Sequence, residues 1–307
     1  NLMAKSALLK SSLAKKYWMA LTGLFLCLFL TGHLAGNLQL LVPNNGMNFN
    51  KYALFMTSNP AVKLLSYLTY ISILFHAIDG ILLTIQNAKA RPIGYVKNNP
   101  SKNSSFASRN MAVLGSIIMI FIITHMVNFW GKMHFDRNMP LVAKTTDNGT
   151  GQQQIQLVGT KDSPIPFLNT NGEITISETF IKTVKEQTQG KYDLELVNNT
   201  TLVNKVDGEV VFEGYKDLYK ITIAFFKSEG KLFGVIPQEG LVFMILYVLA
   251  MAALAFHLLH GFQSAFQSLG LNHPKYTPMI KGFGSFFAIV VPVLFAAIPV
   301  YIHFFLK

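Results

Sequence analysis

The stretch Leu241–Phe266, LVFMILYVLAMAALAFHLLHGFQSAF, contains no Asp, Glu, Lys or Arg. As a helix rising ~1.5 Å per residue, it is long enough to cross the ~30 Å hydrocarbon core of a bilayer. Two histidines, His257 and His260, interrupt its apolar character. Four other stretches are nearly as free of charge: Trp18–Val42, Val62–Ile85, Met111–Trp130 and Phe283–Leu306. The pattern predicts an all-α membrane protein with five transmembrane helices in a bundle. Residues 1–135 would hold spans one to three, and 215–307 an interfacial segment with spans four and five. Between them, 136–214 reads as a small, β-containing extracytoplasmic insertion.

Composition agrees. Of 307 residues, 51% are hydrophobic and 13% charged, against about 25% charged in soluble domains. Mean hydropathy is +0.36. The single cysteine, Cys27, excludes a disulfide framework and any Cys-based zinc or iron–sulfur site in this chain. A cleavable signal peptide is not expected, because Gly32-His33-Leu34-Ala35-Gly36 continues the long first apolar stretch without a cleavage site.

The net charge of +11 suggests an anionic partner until it is divided by segment. Residues 132–238 hold 12 Lys+Arg and 13 Asp+Glu, and the rest of the chain holds 14 and 2. The basic excess therefore belongs to the membrane part, which argues against nucleic acid as a partner. It clusters at Lys5, Lys10, Lys15 and Lys16, at Lys89, Arg91, Lys97, Lys102 and Arg109, and at Lys275 and Lys281. Positive charge stays on the cytoplasmic side of a membrane. The N-terminus is thus expected in the cytoplasm, with the C-terminus and the insertion outside.

Within the insertion, Glu173–Ile176 and Tyr192–Leu196 alternate as strands do, and Asn171-Gly172 and Asp207-Gly208 are turn signals. Asp217–Lys227 reads as an amphipathic lead-in to span four, lying at the interface. Asn198-Asn199-Thr200-Thr201 matches a glycosylation pattern that is frequent by chance. No phosphate loop, metal cluster or nucleophilic triad is evident there.

Spans one to four each carry histidine: His33, His76, His125 and the pair His257/His260. An ionisable residue inside a membrane is a functional candidate by default. A single histidine can equally serve as a hydrogen-bonding link between helices, but four spans each with one point to a shared purpose. Counted from the cytoplasmic end, His33 lies ~23 Å and His125 ~21 Å deep, His76 ~14 Å and His257 ~13 Å. They form two layers, each with two imidazoles on different helices. Such a pair can hold a flat macrocycle from both faces and fill both axial positions of its iron. With no open position, that iron suits electron transfer.

Small residues lie beside these histidines. Gly80 and Gly261 follow His76 and His257 by four, and Gly36 follows His33 by three. A glycine lets a porphyrin approach the backbone, although small residues also serve close helix packing. His260 is the rival to His257. His303 has no partner layer to fill, and His134 and His273 fall in or beside loops. Asp79, the one carboxylate inside a span, either bonds a facing helix or takes part in proton or quinone chemistry.

At these residues the chain resembles the single-chain, five-helix, di-haem cytochrome b anchor of succinate dehydrogenases and fumarate reductases. The similar pieces are Ala20-Leu21-Thr22-Gly23-Leu24-Phe25, Gly32–Gln39, Phe75–Gly80, Asn87–Pro92, Ala107–Met111, Thr124–Trp130 and Phe256–Gln267. They touch the five-span part over about 200 residues, and only the 136–214 insertion departs from shorter members. The resemblance implies His33 and His125 as ligands of a distal haem b iron, and His76 and His257 for a proximal one. The family's span-four ligand precedes glycine by four, which favours His257 over His260.

The resemblance also implies an iron–sulfur subunit and an FAD flavoprotein on the cytoplasmic face of a bacterial inner membrane. Electrons would pass between that subunit and menaquinone through the haems, and a higher oligomer of the complex is left open. Candidates for the quinone site are Asn37, Gln39, Asn128 and Trp130, which would serve equally as interfacial anchors. Lys89, Arg91 and Arg109 could meet haem propionates or the iron–sulfur subunit, although the positive-inside rule already accounts for them. Three other readings stand beside this one. They are a di-haem subunit of a hydrogenase or formate dehydrogenase, a haem-free transporter relaying protons through the histidines and Asp79, and a purely structural anchor.

Overall fold

A computed structural model describes residues 12–43, 46–90, 99, 102, 104–136, 139, 141–143, 146–147, 153–154, 158–160, 163–165, 178–197, 200–232 and 235–306. The chain divides into two compact units. One comprises Asn1–Pro43, Asn59–Thr124 and Ala224–Lys307; the other comprises Asn44–Ser58 and His125–Ile223.

The first unit is helical. Helix α1 spans Ser12–Asn37 and ends in a 3-10 turn, Leu38–Leu41. Helix α2 (Gly46–Ser58) belongs to the second unit. Helix α3 covers Pro60–Ala90, and the short α4, Phe106–Arg109, leads into α5, Met111–His125. Five helices are long and apolar enough to cross a membrane: Leu13–Leu41, Pro60–Ala90, Met111–Phe135, Glu239–Ser268 and Thr277–Phe304. This is consistent with a multi-pass membrane protein. Large apolar side chains such as Leu28, Leu64, Ile120, Leu249 and Val293 stand exposed on them, a surface that hydrocarbon rather than water solvates. Span two runs further at both ends than Val62–Ile85. Its extra residues are Pro60 and Ala61 at one end and Gln86–Ala90 at the other, where the Lys89 ammonium can reach the interface while its stem stays apolar.

Hydroxyls along the spans bond back to their own helices. Thr31 donates to the Cys27 carbonyl at 3.1 Å, Ser66 to Val62 at 2.9 Å and Thr84 to Gly80 at 2.7 Å. In lipid a polar group must find such a partner within the protein.

The core of this unit lies among α1, α9 (Glu239–Ser268) and α10 (Thr277–Phe304). Met251, Leu254, Leu258 and Phe262 are buried at helical spacing on α9, and Phe287, Ala288 and Val291 meet them from α10. Gly284 makes the approach close: a Cβ there would stand 2.6 Å from Phe262 Cδ1. Gly240 is equally constrained, since its Cβ would stand 2.5 Å from the Phe226 carbonyl oxygen. Pro292 and Pro299 lie inside α10, as helix-breaking residues can where neighbouring helices support the backbone. His303 Nδ1 donates to that same Phe226 carbonyl at 2.7 Å, so this histidine pins a helix end.

In the second unit the helix of span three continues past His125 as a π-helical segment, Met126–Gly131, and closes with α6, Lys132–Phe135. Strands β1 (Leu141–Ala143), β6 (Leu194–Val197), β7 (Thr201–Asn204) and β8 (Val210–Lys216) form an antiparallel sheet in the order β1-β8-β7-β6. The expected Asp207-Gly208 turn joins β7 to β8, with Gly208 at φ +75°, a conformation glycine adopts without a Cβ penalty. Two two-stranded sheets, β2–β3 (Thr146–Asp147 with Gln153–Gln154) and β4–β5 (Val158–Thr160 with Ser163–Ile165), lie between β1 and β6 in the chain.

Helix α7, Glu178–Gln187, was absent from the sequence reading. Its Phe180, Ile181 and Val184 pack on Leu194, Leu196 and Leu202 of the sheet. Glu173–Ile176, Asn171-Gly172 and Asn198-Asn199 lie outside the described residues.

The lead-in to span four is helix α8, Leu218–Lys227. Asp217 caps it by accepting the Lys220 N–H at 3.0 Å, while Asn50 of α2 donates to Asp217 at 2.8 Å and accepts from Tyr219 N at 2.9 Å. Lys216 donates to the Met133 carbonyl at the end of span three. Burial holds its ammonium below the usual lysine range, and Asp136 partly opposes that shift.

Candidate functional site

Spans two and four bring His76 and His257 together in the first unit. Their ring centroids are 6.1 Å apart, with planes at 67°. Both histidines lie mid-helix; Gly23 lets span one come close to His76, while Gly115 of span three stands at ordinary contact distance from His257. A Cβ on Gly23 of span one would stand 3.2 Å from His76 Cε1, and one on Gly115 of span three 3.9 Å from His257 Cε1.

The polar groups of the pair are met unequally. His76 Nδ1 lies 3.3 Å from the Thr22 hydroxyl. His257 Nδ1 is the one buried side-chain nitrogen or oxygen among the described residues without a hydrogen-bond partner. Leaving such a group unmet costs about 1–3 kcal/mol, and an unmet imidazole nitrogen is open to a ligand.

The rival His260 is engaged within its own helix, its Nε2 3.1 Å from Ser264 Oγ. The ring that meets His76 is that of His257. Beside it, a Cβ on Gly261 would meet nothing within 4 Å, whereas one on Gly80 would touch Met19 Cε at 3.7 Å.

These residues fit a haem iron. With their ring centroids 6.1 Å apart, His76 and His257 would be the residues to hold a haem iron between them. Among the described residues no three His, Cys, Asp or Glu side chains converge as a metal cluster. Two imidazoles are too few for a bare structural zinc ion, which takes four ligands. An iron whose other donors came from a macrocycle would need no protein ligands beyond these two, and it would supply electron transfer.

The other two histidines fall in different units. In the first, His33 stacks on Phe29 at 5.3 Å and tilts against Phe295 at 5.6 Å. Asn37 donates to the His33 carbonyl at 2.8 Å, and its Nδ2 lies 3.4 Å from His33 Nδ1. Gly36 is buried, and Gln39 sits half-buried in the 3-10 turn. In the second unit, His125 ends α5 and tilts against Phe129 at 5.2 Å. Asn128 and Trp130 both lie on the π segment. Trp130 stacks on His134 at 4.5 Å, and His134 Nδ1 donates to the Trp130 carbonyl at 2.8 Å. His134 is therefore held in the short helix that ends at Phe135, beside the chain's exit from span three.

On the basic side, Lys89 is exposed in the last turn of α3, and Arg109 donates to the Ser104 carbonyl. Arg91 lies outside the described residues. Thr22 and Gly23 carried no role in the sequence reading. Their place beside a histidine 54 positions away depends on how spans one and two pack, which no local pattern records. No family model matches this chain, and no curated protein or solved structure matches it.

Proposed function

We propose that this chain is a di-haem cytochrome b membrane anchor of a succinate:quinone oxidoreductase in a bacterial cytoplasmic membrane. The observation that carries the reading is the His76–His257 pair, 6.1 Å between ring centres with a buried, unpartnered His257 nitrogen. His76 and His257 would hold the proximal haem b, and His33 and His125 the distal one. When bound, these groups supply one-electron transfer.

The chain's own residues orient the rings and keep water from them. Thr22 and Gly23 bear on His76, Phe29 and Phe295 flank His33, and Phe129 flanks His125. Asn37, Gln39, Asn128 and Trp130 are the candidates to hydrogen-bond the menaquinone carbonyls. Lys89, Arg91 and Arg109 would face the iron–sulfur subunit or the haem propionates, with the FAD flavoprotein bound beyond. No residue of this chain touches succinate.

The test is a redox-titrated optical spectrum of the purified complex, with its co-purifying subunits identified. Two low-spin b-type haems per chain and an FAD subunit are expected. A nickel or molybdenum partner would reassign the chain to a hydrogenase or formate dehydrogenase. A folded chain without a Soret band would leave a haem-free transporter, and haems that quinol does not reduce would leave a structural anchor.

A further inference from the structure

Span one passes His76 at Thr22, and the hydrogen bonds there fix which nitrogen carries the proton. The Thr22 hydroxyl lies 2.7 Å from the Trp18 carbonyl, 3.3 Å from the Met19 carbonyl and 3.3 Å from His76 Nδ1. A carbonyl can only accept, so the hydroxyl proton goes to Trp18, the nearest acceptor. What Thr22 then offers His76 is a lone pair.

An acceptor facing one nitrogen of a neutral imidazole puts the ring proton there, on Nδ1. The free lone pair is then on Nε2. Gly23 gives the ring its room beside span one. A Cβ on Gly23 would already stand 3.2 Å from Cε1 and 3.6 Å from Nδ1, and any larger residue would displace the ring.

We infer that Thr22 is the positioning residue of the proximal haem ligand: by accepting the Nδ1–H of His76 it selects the tautomer whose Nε2 is bare for iron. The inference rests on the haem reading above and adds a residue that reading does not contain. An acceptor on the outer N–H of a metal-binding histidine fixes the ring and raises the basicity of the ligating nitrogen, and its loss typically weakens binding by about 10–100-fold.

The test uses the full-length chain in haem-free form, titrated with haem b and labelled with 15N-histidine. Thr22→Val removes the acceptor at nearly constant shape, and Thr22→Ser restores it. In wild type, the NMR signal that His76→Ala abolishes should show a protonated Nδ1. Thr22→Val should lose that tautomer preference and bind the proximal haem about 10–100-fold more weakly, with the distal haem unchanged. Thr22→Ser should recover both.

Wild-type proximal affinity in Thr22→Val overturns the inference, as does a Thr22→Ser variant no better than Thr22→Val, which would mean packing alone. Protonation at Nε2 in wild type overturns it without any use of haem. If wild type binds no haem while His76 keeps its Nδ1 proton, the haem reading falls and takes the ligand role with it. The Thr22–His76 contact would survive that result.

Discussion

Two buried polar side chains, one in each unit, are treated in opposite ways. Asn204 of the sheet is 1% exposed and meets its hydrogen bonds in full. Its Oδ1 accepts from Asp193 N at 3.0 Å and Val206 N at 3.3 Å, and its Nδ2 donates to Lys191 O at 3.3 Å and Asp207 Oδ2 at 3.1 Å. His257 in span four has a buried Nδ1 that nothing meets. The first is architecture, an amide that ties two turns to a strand. The second carries the cost of an unmet polar group, about 1–3 kcal/mol. Burial alone does not distinguish the two side chains; whether their hydrogen bonds are met does.

The largest effect should come from removing the ligands. His76→Ala or His257→Ala should take the haem count from two per chain to one, read by the pyridine haemochrome spectrum. If both variants keep both haems, the contrast between the two units loses its meaning. In the haem-free chain, His257→Leu should leave thermal stability unchanged or slightly raised, because it removes an unmet polar group.

Asn204→Leu should do the reverse. It takes the acceptor from the Asp193 and Val206 N–H groups and the donor from the Lys191 carbonyl, costing about 2–3 kcal/mol by denaturant titration, while the haem spectrum stays as in wild type. A smaller effect is expected from Asn37→Leu or Gln39→Leu, a several-fold slower quinone turnover with an intact spectrum. If neither variant changes turnover, these residues leave the candidate quinone site. Least of all, Lys185→Ala breaks an ion pair to Asp193 at 2.7 Å whose side chains are 53% and 32% exposed. It should cost under about 1 kcal/mol.

The spans were legible because length and apolarity are local properties, and so was the strand at Leu194–Val197, from its alternation. The short helix at Glu178–Gln187 was not, although Phe180, Ile181 and Val184 are spaced for one face. Its polar residues outnumber its apolar ones, and the flanking strand pattern dominated the reading. Helix α2, Gly46–Ser58, was missed for a similar reason, as it begins beside the turn-like Pro43-Asn44-Asn45. At the candidate site, helix depth alone matched His76 with His257, since a regular rise converts position into height. The Thr22 contact and the unmet nitrogen of His257 depend on rotation about the helix axes. A single sequence does not encode that rotation locally.

The π-helical segment Met126–Gly131 matters for that same rotation. A wider turn acts as an insertion of one residue, and at 3.6 residues per turn one residue is about 100° of azimuth. Everything beyond it is out of phase with a helical wheel drawn through His125. Trp130 and His134 thus point where an uninterrupted α-helix would have put residues one position earlier. Deleting one residue from this segment would leave the composition and length of span three almost unchanged, yet swing its outer end by about a quarter turn. In this span, the face a side chain presents is set by counting turns, not residues.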